Sequence, residues 1–492
     1  PLLAACLVDA LLPTLPASRY RQGDPARDER RAGNIGGGQA DNIYFGTYYQ
    51  SNDSTKEPVK WRVLSNANRQ LFLLSDQNLE VFQYHTEKED VTWETSTMRS
   101  WLNGYDASAN MGEENGIDYT NDNFLNTAFS INEQTAIVRT TVVNDDNKDD
   151  NYGTNGEGGN NTTDRIFLLS IAEASNRNYF PGISSSRFST NTPYVAGGGK
   201  LDSGGENNWW WLRSPGFNNK MAASIDEEGG DLYEGNPVND KSFAVRPAFN
   251  LNLSSVLFTS AATGGKPDGG LTAVDAYTGN EWKLTLLDRD RNFTVSGESW
   301  NENTLTFSYS NAQTGTNEYI SAVIEENGEI TYYGRILQLD GTTNGPSGMA
   351  SLSLPSGVTL SDTTELYVFN EQYKGDKLTD YASALQNISP APAQAPSITT
   401  TSLSGGKVGE AYGQTLAATG TAPITWSIDS GSSLPAGLAL SGNTISGTPA
   451  TAGTFTFTVK ATNSAGSDTK ELSIVIQAAS VGPNPDPNPT LI

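Results

Sequence analysis

Cysteine and histidine are almost absent from this chain of 492 residues, which contains one of each. The cysteine is Cys6 and the histidine is His85. A single cysteine excludes an intrachain disulfide and zinc sites built from several thiolates. A Ser-His-Asp triad or a multi-histidine metal site would depend on His85 alone. We interpret His85 as a packed or surface residue, so the composition argues against hydrolase and transition-metal chemistry of these kinds.

Basic residues are outnumbered, with 31 Lys and Arg against 56 Asp and Glu and a formal net charge of −25. Nucleic-acid phosphates bind to basic surfaces, so we expect no nucleic-acid partner. The acidity mainly indicates solubility. Long hydrophobic runs are lacking as well, because residues 1–18 are apolar but too short and too interrupted to span a bilayer.

Residues 1–33 resemble nothing that follows and are predicted to be a signal, processing or disordered segment. Three interpretations stay open: the tail of a cleaved signal peptide, a lipid-modified Cys6 in Leu3–Cys6, or a misread gene start. The first two predict an extracellular or cell-surface protein with peripheral membrane or cell-wall attachment.

Turn-forming residues are abundant, including 49 glycines, which favours short strands joined by turns. Residues 34–260 are predicted to form an α+β domain with a mixed sheet and long loops, 144–163 being the longest. Predicted strands include 43–48, 59–64, 71–75 and 165–171. Ser96 is a predicted helix N-cap, and Ser130 with Glu133 has the spacing of a capping box.

The second half of the chain is predicted to be all-β. Residues 271–388 and 398–478 each alternate polar and apolar residues in short runs separated by turns, as Ig-like sandwiches do. A Pro/Ala linker, 389–397, separates them, and 479–492 is a Pro-rich tail. The predicted fold class is therefore multidomain: an α+β domain followed by two all-β Ig-like sandwiches.

Several ordered segments of residues 41–260 resemble an uncharacterised bacterial family, a domain of unknown function common in gut Clostridia. The segments include Trp61–Ser65, Phe124–Phe129, Trp210–Gly216 and Val245–Leu251. The resemblance implies a C-type-lectin-like fold, as in formylglycine-generating enzymes and in the variable proteins of diversity-generating retroelements. Formylglycine chemistry needs a reactive cysteine pair, which is lacking after Cys6, so the resemblance implies the fold without that activity.

Residues 398–477 resemble the putative-Ig, cadherin-like family through Leu434–Leu440, Thr444–Pro449 and Gly453–Asn463. The resemblance implies a spacer on a bacterial surface protein. Some relatives are grouped with calcium-binding modules, but acidic residues are few here. The acidic loop that contains Asp145, Asp146, Asp149 and Asp150 lacks the register of a calcium loop. No metal or other cofactor is predicted, with calcium as the alternative.

The candidate ligand surface is the stretch 217–243, which lies between two apolar strands. Ala222, Ala223, Ile225 and Leu232 would hold a hairpin, while its other side chains mix both charges, amides and aromatics, as paratope loops do. The predicted ligand contacts are Trp209, Trp211, Phe217, Asn218, Asn219, Lys220, Met221, Asp231, Tyr233, Glu234, Asn236, Asn239, Asp240, Lys241 and Phe243.

A framework of Trp210, Arg213 and Arg246 is predicted to support this surface. Alternate residues of a strand face opposite sides, so Trp210 and one neighbour should be buried, and Trp209 or Trp211 should be partly exposed. The planar guanidinium of each arginine can join loop carbonyls or carboxylates.

These patterns favour an extracellular bacterial ligand-binding or adhesion protein, not an enzyme, whose partner is a protein or a glycan and whose Ig-like domains are spacers. One alternative is a carbohydrate-active enzyme that uses carboxylates such as Asp226, Glu227 and Glu228. The other is an inert structural stalk.

Overall fold

The computed structural model describes residues 41–105, 118–149, 153–182, 184–197, 209–230, 233–274, 277–361, 363–389 and 394–480. The predictions for 1–33, Cys6, Asp150, Asp231 and Leu232, and for residues 390–393 of the linker and 481–492 of the tail, lie outside these ranges. The chain is mostly β. It divides into two compact units between Ser389 and Pro390, where the predicted linker begins.

The first unit contains every helix among the described residues. The helices are α1 (Thr97–Asn103), α2 (Phe124–Ala128), α3 (Ile131–Ala136), α4 (Ile171–Ala174), α5 (Ser184–Arg187) and α6 (Pro193–Gly197), with a 3-10 turn at Leu253–Ser255.

The strands of its first part are β1 (Asn42–Tyr49), β2 (Lys56–Ala67), β3 (Gln70–Ser75), β4 (Glu80–Val81), β5 (Thr140–Val142), β6 (Asn147–Asp149), β7 (Thr154–Gly156), β8 (Thr162–Asp164), β9 (Trp210–Pro215), β10 (Met221–Ile225), β11 (Asn236–Pro237), β12 (Ala244–Val245) and β13 (Ala248–Asn252). Its second part contains β14 (Val256–Ala261), β15 (Gly269–Ala273), β16 (Glu281–Leu287), β17 (Thr294–Asn301), β18 (Thr304–Ser310), β19 (Glu318–Glu326), β20 (Glu329–Gln338), β21 (Gly348–Ser353), β22 (Thr364–Gln372), β23 (Asp380–Ala382) and β24 (Gln386–Asn387).

Side-chain caps start the helices at the expected residues. The Ser96 side chain accepts the Arg99 backbone N–H, and the capping box of Ser130 and Glu133 is confirmed. Ser170 and Glu173 form a second capping box at the start of α4. Each cap satisfies backbone N–H groups that have no partner within the helix.

Two local predictions were wrong. Residues 165–171 do not form a strand, although Ile166, Phe167, Leu168 and Leu169 are buried. Only an isolated bridge joins Phe167 to Ala248, and the Leu169 carbonyl accepts the Arg213 backbone N–H. The predicted loop 144–163 contains the β6–β7 hairpin and ends in β8, which pairs with β5.

The predicted boundary between 260 and 271 does not separate two compact units. Among the described residues one twelve-stranded sheet runs β13-β3-β2-β1-β16-β23-β22-β19-β20-β15, with β14 and β24 paired beside it. β16 pairs in parallel with β1 and antiparallel with β14. Glu133 of α3 also accepts a hydrogen bond from Thr379 at 2.7 Å. Strands from both predicted domains thus share one sheet.

The second part of the first unit is nevertheless a sandwich. A three-stranded sheet, β17-β18-β21, faces the larger sheet, and alternate residues of the two sheets meet in one core. Leu305 and Phe307 of β18 lie in this core with Ile320 and Ile324 of β19.

The second unit is a separate Ig-like sandwich with its own core. Its strands are β25 (Ser397–Ile398), β26 (Gly406–Lys407), β27 (Tyr412–Thr415), β28 (Ala418–Thr419), β29 (Thr425–Ile428), β30 (Leu438–Ser441), β31 (Thr444–Gly447), β32 (Gly453–Asn463) and β33 (Gly466–Gln477). Two glycines of its sequence motif, Gly437 and Gly447, are required for a steric reason. A Cβ atom at Gly437 would lie 2.0 Å from the Thr448 carbonyl oxygen, and one at Gly447 would lie 2.1 Å from the Gly437 oxygen.

Candidate ligand-binding surface

The turn between β9 and β10 is held by backbone hydrogen bonds within the turn and to two other segments, at Glu234 and Asn155. Gly216 N–H donates to the Met221 carbonyl at 2.7 Å and Met221 N–H donates to the Asn218 carbonyl at 3.0 Å. Phe217 N–H donates to the Glu234 carbonyl at 2.7 Å, and its own carbonyl accepts Asn155 N–H at 2.9 Å. The position of the Phe217 backbone is therefore fixed by two neighbouring segments.

The β6–β7 hairpin supports the same turn through two asparagines. The Asn219 side chain accepts Glu157 N–H at 2.9 Å and donates to the Glu157 carbonyl at 2.7 Å. The buried Asn147 amide donates to the carbonyls of Pro215, Gly216 and Tyr233 at 2.9–3.1 Å. Sequence reasoning missed Asn147, because an asparagine in a polar run gives no local sign of burial.

The side chains on this turn are solvent-facing. Phe217 is 41% exposed, and Lys220 and Glu234 are exposed as well. Asn218 and Met221 are half-buried. We call these residues, Phe217, Asn218, Lys220, Met221 and Glu234, the turn surface. It places an aromatic ring beside one positive and one negative side chain.

Trp211 and Phe243, both predicted ligand contacts, do not belong to an exposed surface. They are 0% and 6% exposed, and their rings stack with centroids 4.3 Å apart. Phe243, in the segment that joins β11 to β12, packs on Trp211, which is therefore the neighbour of Trp210 that is buried. These two residues belong to the core, so the prediction that they contact a ligand was wrong.

Trp209 is half-buried, and Trp210 and Trp211 are buried. The Trp209 indole N–H contacts the Glu227 carboxylate. Because Ile225 pairs with Trp210, this contact lies at the end of the β9–β10 pair away from the turn surface. The predicted contacts thus divide between two ends of the pair.

The remaining predicted contacts are arranged around β11 and the loop after it. Tyr233, Asn236, Asn239 and Asp240 are half-buried there, and Asn219 is half-buried in the β9–β10 turn. The Asn236 amide donates to Ser224 at 3.0 Å, and Asp240 accepts from Ser242 in a local turn. Lys241, between Asp240 and Ser242 in that turn, is exposed. Asp231 lies outside the described residues.

Buried arginines join the loops behind the surface. Arg246 is 0% exposed, and its guanidinium donates to the carbonyls of Ser75, Asp76 and Arg187 at 3.0–3.3 Å. It lies 5.0 Å from the centre of the Trp210 ring. Burial lowers the pKa of Arg246 well below its usual range. Its hydrogen-bond partners are neutral carbonyls, so the guanidinium is stabilised by the dipoles of these carbonyl groups.

Arg213, on β9, also joins neighbouring segments. It donates to the carbonyls of Val143 and Leu168 and to the Glu173 carboxylate at 2.5 Å. Arg213 and Glu173 also line a cleft of about 340 Å³ with Phe72, Phe167 and Tyr179. The carboxylate in this cleft is engaged by Arg213 and by the α4 capping box, and among the residues that the structure describes no second carboxylate lines the cleft.

His85 is 1% exposed and its ring nitrogens are both engaged. Thr97 N–H donates to Nδ1 at 3.3 Å, so the proton belongs on Nε2, which donates to Glu89 at 3.0 Å.

The Asp146 carboxylate accepts hydrogen bonds from the Lys148 side chain and from the Gly158 N–H, and these bonds lower the pKa of Asp146. Within the described ranges, no three His, Cys, Asp or Glu side chains are grouped as metal ligands. No described helix is long and apolar enough to cross a membrane.

Two regions match known families. Residues 68–253 match the family described as "Domain of unknown function (DUF6273)", and residues 395–477 match the one described as "Putative Ig domain". The first region contains the turn surface and its framework, and the second coincides with the second unit. No curated protein matches the chain.

Solved structures match only loosely. A "putative alpha-galactosidase" from Bacteroides fragilis is 31% identical over 16% of this chain and 17% of its own, with a TM-score of 0.15. The Z1Z2 domains of titin in complex with telethonin are 17% identical over 38% of this chain and 98% of theirs, with a TM-score of 0.19. The N-terminal four Ig domains of Dscam1 isoform 4.44 are 15% identical over 38% and 53%, with a TM-score of 0.16.

Proposed function

We propose that this chain is an extracellular ligand-binding or adhesion protein, and that the turn surface of its first unit contacts a protein partner. The observation that carries the proposal is the position of Phe217. This residue is 41% exposed, while its backbone N–H and carbonyl are both hydrogen-bonded to neighbouring segments, at Glu234 and Asn155. A rigid exposed aromatic side chain adds contact area at a low entropic cost.

The neighbours of Phe217 favour a protein partner over a glycan. Lys220 and Glu234 carry opposite charges and are exposed, and the Glu234 backbone is hydrogen-bonded to that of Phe217. Protein interfaces commonly combine an apolar centre with a polar rim of this kind. A sugar ring would need several hydrogen-bonding groups that converge on it.

The finer assignment, a C-type-lectin-like scaffold with a variable face and cadherin-like spacers, is part of the same proposal. It is supported by the buried Trp210, Arg213 and Arg246, whose contacts hold loops without involving the turn surface. Comparing copies of the gene tests it: Phe217, Asn218 and Lys220 should differ between copies while Trp210 and Arg246 stay constant. Identical turn surfaces in all copies would favour an inert stalk.

Binding is tested by screening the chain against displayed surface proteins and a glycan array. Replacing Phe217 by Ala should weaken the affinity for a protein partner by at least tenfold, because a central aromatic anchor contributes about 2 kcal/mol or more to the binding free energy. The matched control is Ile131→Ala on α3, since Ile131 is also apolar and is 80% exposed. Equal binding by Phe217→Ala and wild type, or binding to glycans alone, would contradict the proposal.

A further inference from the structure

A cluster of four charged side chains is buried between the strands of the first unit. Lys266 follows β14, Lys283 lies on β16, Glu371 on β22 and Asp380 on β23. Each of these side chains is at most 2% exposed. The residues come from distant parts of the chain, and none belongs to the turn surface.

Lys266 lies directly between the two carboxylates. Its Nζ is 2.6 Å from Asp380 Oδ2 and contacts Glu371 Oε1. The Thr285 hydroxyl is 2.6 Å from the same nitrogen. The rings of Phe258 and Tyr333 lie 4.8 Å and 5.5 Å from Nζ. An amine and a carboxyl group are thus held together in an aromatic, water-excluding environment.

The Asp380 carboxylate has a further donor on each of its oxygens. Its Oδ1 accepts the Lys374 backbone N–H at 2.8 Å, and its Oδ2 is 2.9 Å from Lys283 Nζ. These donors would stabilise the negative charge that develops on the carboxyl oxygens when a nucleophile adds. Fixed proximity of this kind corresponds to effective concentrations of about 10⁵–10⁸ M.

Glu371 is oriented to move protons. Its Oε2 accepts hydrogen bonds from Ser321 at 2.7 Å and from Tyr333 at 2.6 Å. Its Oε1 is thereby turned toward Lys266. A carboxylate in contact with the amine can take a proton from it and pass it on.

We propose that Lys266 and Asp380 condense into an intramolecular amide, with Glu371 as the proton-transfer residue. Lys266 gives a proton to Glu371, and its neutral Nζ attacks Cγ of Asp380. The Nζ–Cγ bond forms and the Cγ–Oδ2 bond breaks. Two protons from the amine reach the departing oxygen through Glu371, and one water molecule leaves. Oδ1 becomes the amide oxygen, Glu371 ends as a carboxylate, and nothing is oxidised or reduced.

The environment favours the product. Two charges that were removed from water disappear when the amide forms, and burying charges is costly even when they are paired. Lys283 and Glu371 remain as one cation and one anion. The bond joins residues 114 positions apart and ties the segment before β15 to β23.

Intact mass spectrometry of the full chain, denatured after purification, tests the proposal. The expected mass is that of the sequence less one water molecule. Proteolysis should yield one branched peptide that joins Lys266 to Asp380. An unmodified mass, or a branch that uses Lys283 or Glu371, would overturn the assignment.

Glu371→Gln should restore the full mass, because the proton acceptor is lost while Lys266 and Asp380 remain. The matched control is Glu318→Gln, since Glu318 is also buried, and it pairs with the residue next to Glu371 on the neighbouring strand. The control should keep the loss of one water molecule. Loss of the bond in both variants would contradict a specific role for Glu371, and the wild-type mass decides the question even where a variant folds poorly.

Discussion

The two parts of the first unit bury their cations in different ways. Around β9, where long irregular segments meet, Arg213 and Arg246 donate mainly to backbone carbonyls. In the sandwich part, Lys266 contacts a hydroxyl and two carboxylates. Regular strands leave few carbonyls unpaired, whereas loops leave many. A buried cation therefore stabilises loops in one part and needs anions in the other.

The largest test of this comparison is Arg246→Met. The change leaves the carbonyls of Ser75, Asp76 and Arg187 without their donor, and each buried unpaired group costs about 1–3 kcal/mol. We expect the first unit to lose about 3 kcal/mol or more of its free energy of unfolding in urea titrations. The second unit serves as an internal control and should unfold as before. A loss below about 1 kcal/mol would mean that the loops do not depend on this cation.

A second test compares adjacent tryptophans. Trp211→Ala removes a buried ring stacked on Phe243 and should cost about 3–5 kcal/mol. Trp209→Ala, on the half-buried neighbour, should cost clearly less. The measurement is again urea unfolding of the first unit. Equal losses would contradict the division of the strand into a core side and a partly exposed side.

A third test asks whether the two parts unfold together. Glu133→Ala removes the acceptor for Ser130 N–H and for the Thr379 hydroxyl, so a helix cap and a link to the sandwich part are lost together. We expect a loss of about 1–2 kcal/mol. Hydrogen exchange should report it in both parts. A change confined to α3 would indicate that the shared sheet does not couple them.

The smallest expected effect concerns the surface link between β2 and β16. Lys60 Nζ lies 2.9 Å from Glu281 Oε1, and its hydrogen bond lowers the pKa of Glu281 from its usual 4.5. A lowered folded-state pKa means that the pair stabilises the fold above the unfolded pKa and that this stability is lost as pH falls through the folded value. The contribution is below about 1 kcal/mol, because the pair is partly exposed. In an NMR titration, Lys60→Met should return the Glu281 pKa toward 4.5; an unchanged value would contradict the assignment.

Local chemistry made part of this structure predictable. Ser130 and Glu133 mark a helix start within four consecutive residues, and the motifs around Gly437 mark the second sandwich. The run 165–171 misled because a continuous apolar segment shows burial without showing whether its carbonyls meet a strand or Arg213. Pairing of β1 with β16 leaves no local trace, so the domain boundary could not be read from composition.

The candidate surface was predictable in outline only. Exposure of Phe217 and Lys220 follows from their place in a Gly-Phe-Asn-Asn-Lys turn. Burial of Trp211 depends on Phe243, which arrives over it from another segment. Lys266 and Asp380 each look like ordinary surface charges in the sequence, and only the fold brings them together.

The parallel pairing of β1 with β16 has a consequence for biosynthesis. Asn42 pairs with Glu281, so β1 leaves the ribosome long before its second neighbour exists. At about 5–20 residues per second, the delay is roughly 10–50 s. During that time β1 has β2 on one side and an open edge on the other, and open edges recruit foreign strands. Any factor that shields this nascent edge would raise the yield of correctly folded chains.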